Sequence, residues 1–127
     1  MVGEVMGFLI SSDWMIGEAK NLNVRLSAAE VRRRFEHIRD QQFPKRREFK
    51  AFLKSSGQTV GDLLFRVRVN LLSSLIQRKI AAGASSPSDR ERVIAEFVKT
   101  FRERWTAQTY CARAYAVSDC GHVQDTL

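Results

Sequence analysis

Residues 56–83, SGQTVGDLLFRVRVNLLSSLIQRKIAAG, limit what this chain can fold into more than any other stretch. Leu64, Val67, Leu71 and Leu75 fall at steps of three and four. Val60, Leu63, Leu72, Ile76 and Ile80 widen that stripe, which predicts one long helix. Thr59 followed by Asp62 is a capping-box start. Gly57 is placed to close the preceding helix and Gly83 to close this one. Roughly 23 residues at 1.5 Å each give a rod of about 35 Å, the diameter of a small domain. So wide an apolar stripe needs more than one neighbour.

The other segments have the pattern of those neighbours. Val5, Phe8, Leu9, Trp14, Ile16 and Ala19 supply apolar surface to a first helix over residues 4–22. Residues 24–26 make a short link. Ser27 with Glu30 is a second capping box, opening a helix to about Phe43 through Val31, Phe35 and Ile38. Pro44 biases the residue before it away from helix, which sets a break there. A third helix, 45–55, turns Phe49, Phe52 and Leu53 one way and Lys45, Arg46, Arg47, Lys50 and Lys54 the other. After the long helix, residues 84–88 read as a linker. Ser86, Pro87 and Asp89 then open a last helix to about Gln108. Val93, Ile94, Phe97, Val98, Phe101 and Trp105 form its core face. Residues 109–120 are expected as an ordered loop, and 121–127 as a frayed tail. The fold class is all-α: about five helices around one central rod, with a short C-terminal loop, in one domain over residues 1–120.

A chain of 127 residues can bury a core without metal or cofactor. The net charge of +7 attracts acidic partners, whether nucleic acid, anionic lipid or acidic polypeptide. Glu4, Asp13 and Glu18 interrupt the apolar N-terminus, which also lacks a basic leader region; it reads as neither a signal peptide nor a membrane span. If the protein works outside the cytoplasm, its export signal is expected upstream of Met1 or is missing.

No nucleophile in a strained turn, glycine-rich phosphate loop, paired-carboxylate site or HExxH motif is recognisable, so no enzyme activity and no cofactor are expected. His37 reads as a solvated or cap-adjacent histidine. Cys111 and Cys120 lie nine positions apart. They suit a disulfide, stabilising by roughly 2–3 kcal/mol in the chain-entropy model, or two free thiols. With His122 they also sketch three metal ligands, but the spacing matches no common zinc pattern and a fourth ligand is missing. Arg32, Arg33, Arg34 and Arg39 on the second helix and the cations of the third suggest a helix-turn-helix for nucleic acid. Glu30, Glu36, Asp40 and Glu48 are interleaved with them and blunt a phosphate-tracking surface. Phe65 falls off the main stripe between Leu64 and Arg66. It is either an exposed aromatic among arginines, suited to an extended apolar peptide, or a contact to the first or third helix.

The segment from Phe49 to Ile80, FxxFLKSSGQTVGDLLFRVRVNLLSSLIQRKI, resembles the N-terminal helical region of SurA/PrsA-like bacterial foldases. FLISSDWMIGEAK, VxLSAAEVxxxF and QQFPKxxxF precede it, and FVKTFRERWTAQTYCARAYAVSDC resembles the family's C-terminal segment. The resemblance covers about residues 5–120. The family carries a parvulin-type peptidyl-prolyl isomerase domain between these segments. Here residues 84–88 stand in its place, so isomerase activity is not implied. What the resemblance implies is a chaperone module working outside the cytoplasm, completed by the last helix, with Cys111 and Cys120 as a disulfide. Unfolded or exported polypeptide would lie in a groove between the long helix and helices one to three. Trp14, Phe43, Phe65, Arg66 and Arg68 are the candidate contacts, with arginines at the rim for acidic segments. The alternatives are a basic nucleic-acid-binding module and a foldase remnant that survives by oligomerising, as a homodimer that exchanges the last helix across the short linker. Weak attraction to an anionic membrane surface is a further expectation.

Overall fold

The structure, a computed structural model, describes residues 2–125. Among them it has five α-helices: α1 (Val2–Asn21), α2 (Ala28–Gln42), α3 (Arg46–Ser56), α4 (Val60–Ala81) and α5 (Pro87–Thr106). Two three-residue strands follow, β1 (Tyr110–Ala112) and β2 (His122–Gln124), with a single 3₁₀ turn between them. The fold is all-α with a small appended sheet. The long helix is its hub, packing against α1, α2 and α5.

The helix starts are set locally. Ser27 accepts the Glu30 amide and the Glu30 carboxylate accepts the Ser27 amide; Thr59 and Asp62 repeat the exchange at α4. Ser86 caps α5 through the Asp89 amide, with Pro87 in the first turn. Each cap satisfies donors that a helix start otherwise leaves to water. Gly57 closes α3 in the left-handed region, with φ of 72°. The expectation that Gly83 does the same for α4 fails. Its φ is not positive, and α4 instead ends in short turns, with the Ala82 amide donating to Lys79 and the Ala84 amide to Ala81.

Two buried clusters hold α1, α4 and α5 together, and Val31 and Phe35 of α2 are buried outside them. Ile10 and Trp14 of α1, Phe101 of α5 and Cys111 of β1 form the first, with Met6, Phe97, Trp105, Val117 and Cys120 packed on it. Ala19 of α1 with Leu72 and Ile76 of α4 forms the second. Phe97 touches both, so α5 ties the rod to α1. The α1–α5 contact is close at Gly17, where a Cβ would fall 2.4 Å from the Trp105 ring. Next to it Glu18 is 2% exposed. Its carboxylate accepts the Arg104 guanidinium at 2.7 and 2.9 Å and the Trp105 indole N–H at 2.9 Å. A buried carboxylate is tolerated only with such partners.

The tail departs from the expected loop and fray. β1 and β2 pair in parallel, Tyr110 opposite His122 and Cys111 opposite Val123. The Cys111–Cys120 disulfide closes the turn between them, with Cα atoms 5.8 Å apart. Gly121 is required there, because a Cβ would meet the Thr106 carbonyl oxygen at 1.9 Å. Residues 126 and 127 of the expected frayed tail lie outside the described residues.

Candidate functional site

The N-terminal half of α4 is covered far less well than its C-terminal half. Leu72 and Ile76 are buried, whereas Leu63, Leu64, Phe65 and Val67 remain half-exposed. α2 crosses this half and leaves a trough on each flank. One, of about 470 Å³, is lined by Leu26, Val31, Leu64 and Phe65, with Arg32 and Arg68 beside them. Leu26 and Arg68 also border a hollow of about 350 Å³ over Ile16, Val24 and Leu72, so apolar surface continues along the α1–α2 link. The second flank, of about 210 Å³, lies over Phe35, Phe43, Phe49, Phe52 and Val67, beside Arg66.

Aromatic contacts fix the walls. Phe65 meets Phe8 of α1 edge to face, with centroids 6.1 Å apart at 79°. The Arg66 guanidinium lies 4.3 Å from the centre of the same Phe8 ring. A cation over a ring face is favoured by the ring quadrupole, and it holds Arg66 in place without a carboxylate. Phe49 of α3 packs on Phe35 at 6.0 Å and on Phe43 at 5.6 Å, and Phe52 packs on Phe43 at 5.0 Å. This phenylalanine group attaches α3, which has no buried residue of its own.

The five residues expected to contact peptide are therefore divided. Phe65 and Arg68 border the larger trough, while Arg66 and Phe43 border the smaller one. Trp14 belongs to neither. It is 4% exposed, stands edge-on to Phe101 at 6.0 Å, and donates its indole N–H to Thr109 Oγ1 at 2.8 Å. Its surface is consumed inside the first cluster, so it is corrected from a contact residue to a core residue. Phe65 makes the contact to α1 that one of its two readings expects, and its remaining half-exposed surface lines the trough. Leu26, Val31 and Leu64 carry no site signal in the sequence, because periodicity marks an apolar face without saying where a neighbour leaves a trough beside it. Phe8 carried only a helical-face signal, and its role depends on two residues of α4.

Elsewhere, the sulfurs of Cys111 and Cys120 are bonded to each other, which removes them as thiolate ligands for a site with His122. The His122 ring instead stacks on Tyr110 at 4.3 Å, with its Nε2 2.9 Å from the Ala107 carbonyl. No described helix is long and apolar enough to cross a membrane. No family model matches the chain, and no curated protein or solved structure does.

Proposed function

We propose that this protein is a chaperone-like module that binds unfolded or partly folded polypeptide by non-catalytic contact. The observation that carries this reading is the larger trough, an apolar floor of half-exposed Leu26, Leu64 and Phe65 over buried Val31, with Arg32 and Arg68 at its edge. An uncovered apolar strip rimmed by polar groups suits a chain segment that alternates between water and contact. A volume near 470 Å³ takes a few side chains of an extended segment and leaves its backbone in solvent. The sequence resemblance to the helical domain of SurA/PrsA-like foldases points the same way. The disulfide is compatible with an oxidising compartment, and we place the protein's work outside the cytoplasm.

The test is suppression of aggregation of a chemically unfolded client at a few-fold molar excess of the protein. Suppression is expected, together with its loss in Phe65→Ser/Leu64→Ser, checked for retained helix content by circular dichroism. A protein that leaves the aggregation rate unchanged for every client tried removes the reading.

A further inference from the structure

Residues 27–56, which span α2 and α3, carry nine Lys and Arg against four Asp and Glu, five of the seven net positive charges. The two helices distribute them differently. The outer face of α2 mixes Arg32, Arg33 and Arg34 with Glu30, Glu36 and Asp40. On α3, Arg46, Lys50 and Lys54 follow one another at steps of four, with Arg47 beside them, and Glu48 is the sole acid. These cations and Lys45, at the helix start, are all exposed. Among the described residues none of the five lies within 4.0 Å of a carboxylate. Phe49, Phe52 and Leu53 occupy the other side of α3 and stay half-exposed along its edges. α3 is thus a short amphipathic helix at the margin of the fold, with a single-sign outer face.

From this we infer that α3 is a docking face for an anionic lipid bilayer, separate from the polypeptide trough. Charge complementarity selects an anionic partner, and the composition of the face selects its class. Reading bases in a nucleic-acid groove needs side chains such as Asn, Gln or Arg aimed at base edges, flanked by phosphate contacts. The arc of α3 carries no Asn or Gln, its two arginines are confined to the first turn with lysines, Ala51 and Ser55 beyond them, and the neighbouring acids of α2 repel a tracked phosphate strand. A lipid surface demands no register. It rewards several cations held at one level with apolar flanks beside them. The disulfide is compatible with an oxidising compartment, where a bilayer surface is available. The partner is therefore a phosphate-bearing headgroup in a membrane plane, met by Arg46, Arg47, Lys50 and Lys54.

The experiment is co-sedimentation of the full chain with phosphatidylcholine vesicles, with and without phosphatidylglycerol, over a salt series. Binding is expected only where phosphatidylglycerol is present, and it should weaken as salt rises. Arg46→Gln/Lys50→Gln/Lys54→Gln should lower partitioning by about a hundredfold, at about fivefold per cation. The melting temperature should stay the same, because these side chains hold no partner. Equal binding to both vesicle types, no binding at low salt, or unchanged binding in the triple variant would each overturn the inference. Duplex DNA or an acidic polypeptide held more tightly than the vesicles at equal salt would reassign the face to that partner. Loss of aggregation suppression leaves this result untouched, since the trough and the outer face of α3 share no residue.

Discussion

The half of the molecule built from α1, α5, the C-terminal half of α4 and the tail differs in kind from the half built from α2, α3 and the start of α4. In the first half, two enclosed apolar clusters carry paired polar groups, while Val5, Leu9, Val98, Tyr110, Tyr115 and Val123 stay exposed around them. Glu18 meets Arg104 and Trp105, Trp14 meets Thr109, and the disulfide ties β1 to the chain that follows it. In the second, Phe43, Phe49, Phe52 and Phe65 stay half-exposed around a buried Phe35, and Arg66 and Arg68 stand beside them with no carboxylate within 4.0 Å, whereas Arg39 over Phe35 pairs with Asp40. A bundle of this size cannot bury every apolar face it carries. Most of the buried residues lie on one side of α4, and the other side buries Val31 and Phe35 but leaves half-exposed troughs beside them. Stability is expected to reside in the closed half and binding in the open one.

The sharpest way to break that division is at Glu18. Glu18→Ala removes the acceptor of two guanidinium contacts and of the Trp105 indole N–H. Breaking a buried ion pair costs about 3–5 kcal/mol, and the lower end applies because Arg104 keeps 42% of its side chain exposed and can regain water. A loss of about 3 kcal/mol in urea unfolding is expected, with trough binding retained in the fraction still folded. A cost under about 1 kcal/mol would mean that α1 and α5 are not held by this network.

Next in size is the disulfide. Cys111→Ser/Cys120→Ser should cost roughly 2–3 kcal/mol by chain entropy over so short a loop. Cys111 also sits in the first cluster, so hydrogen exchange in the tail and in α1 should rise together. Exchange confined to residues 113–125 would separate the tail from the core and narrow the closed half to the helices. Phe65→Ala, on the open side, is expected to cost less, about 1 kcal/mol, because it gives up the edge contact to Phe8 and half-buried area. Its effect on client affinity should exceed its effect on stability. The reverse ratio, in paired melts and binding titrations, would assign Phe65 to packing alone.

The contrast also explains what could be read in the sequence. The three side-chain caps were legible because their partners lie three residues apart, within reach of the local pattern. Five helices and the central position of α4 followed from periodicity. Gly83 is a misleading signal because glycine permits a left-handed residue without requiring one, and here the helix end unwinds through short turns. The tail was misread because its strands gain their order from α5 and from each other. The Thr106 carbonyl against Gly121 and the Cys111–Val123 register are not visible in a run of nineteen residues without period. Trp14 was misplaced for a related reason. A tryptophan on an apolar helix face serves a core or a site equally well, and the choice is made by Thr109, ninety-five residues away. The troughs are legible only in part, since a groove is defined by what α2 fails to cover.

The smallest effect concerns the start of α4, in the open half. The Asp62 carboxyl is held below its ordinary value of 3.8, first by the Thr59 backbone N–H, then by the Thr59 hydroxyl, with Arg66 contributing. Asp89 at the start of α5 is lowered in the same way, first by the Ser85 backbone N–H and then by Arg92. A carboxyl whose folded value is depressed contributes stability that is fully present above its unfolded value. That stability disappears as pH falls through the folded value. Asp62→Asn should therefore destabilise at neutral pH, and the difference from wild type should shrink as pH falls below about 4. Both caps are exposed, so the neutral-pH cost is expected to be the smallest of the series and to appear as faster exchange of the first-turn amides of α4. Because that turn carries Leu63 and Leu64 into the troughs, its fraying should weaken client binding more than it lowers the melting temperature. The same substitution at Asp89, on the closed side, should leave client binding unchanged. Equal effects of the two on binding would show that the halves are coupled through α4 and that the division between them does not hold.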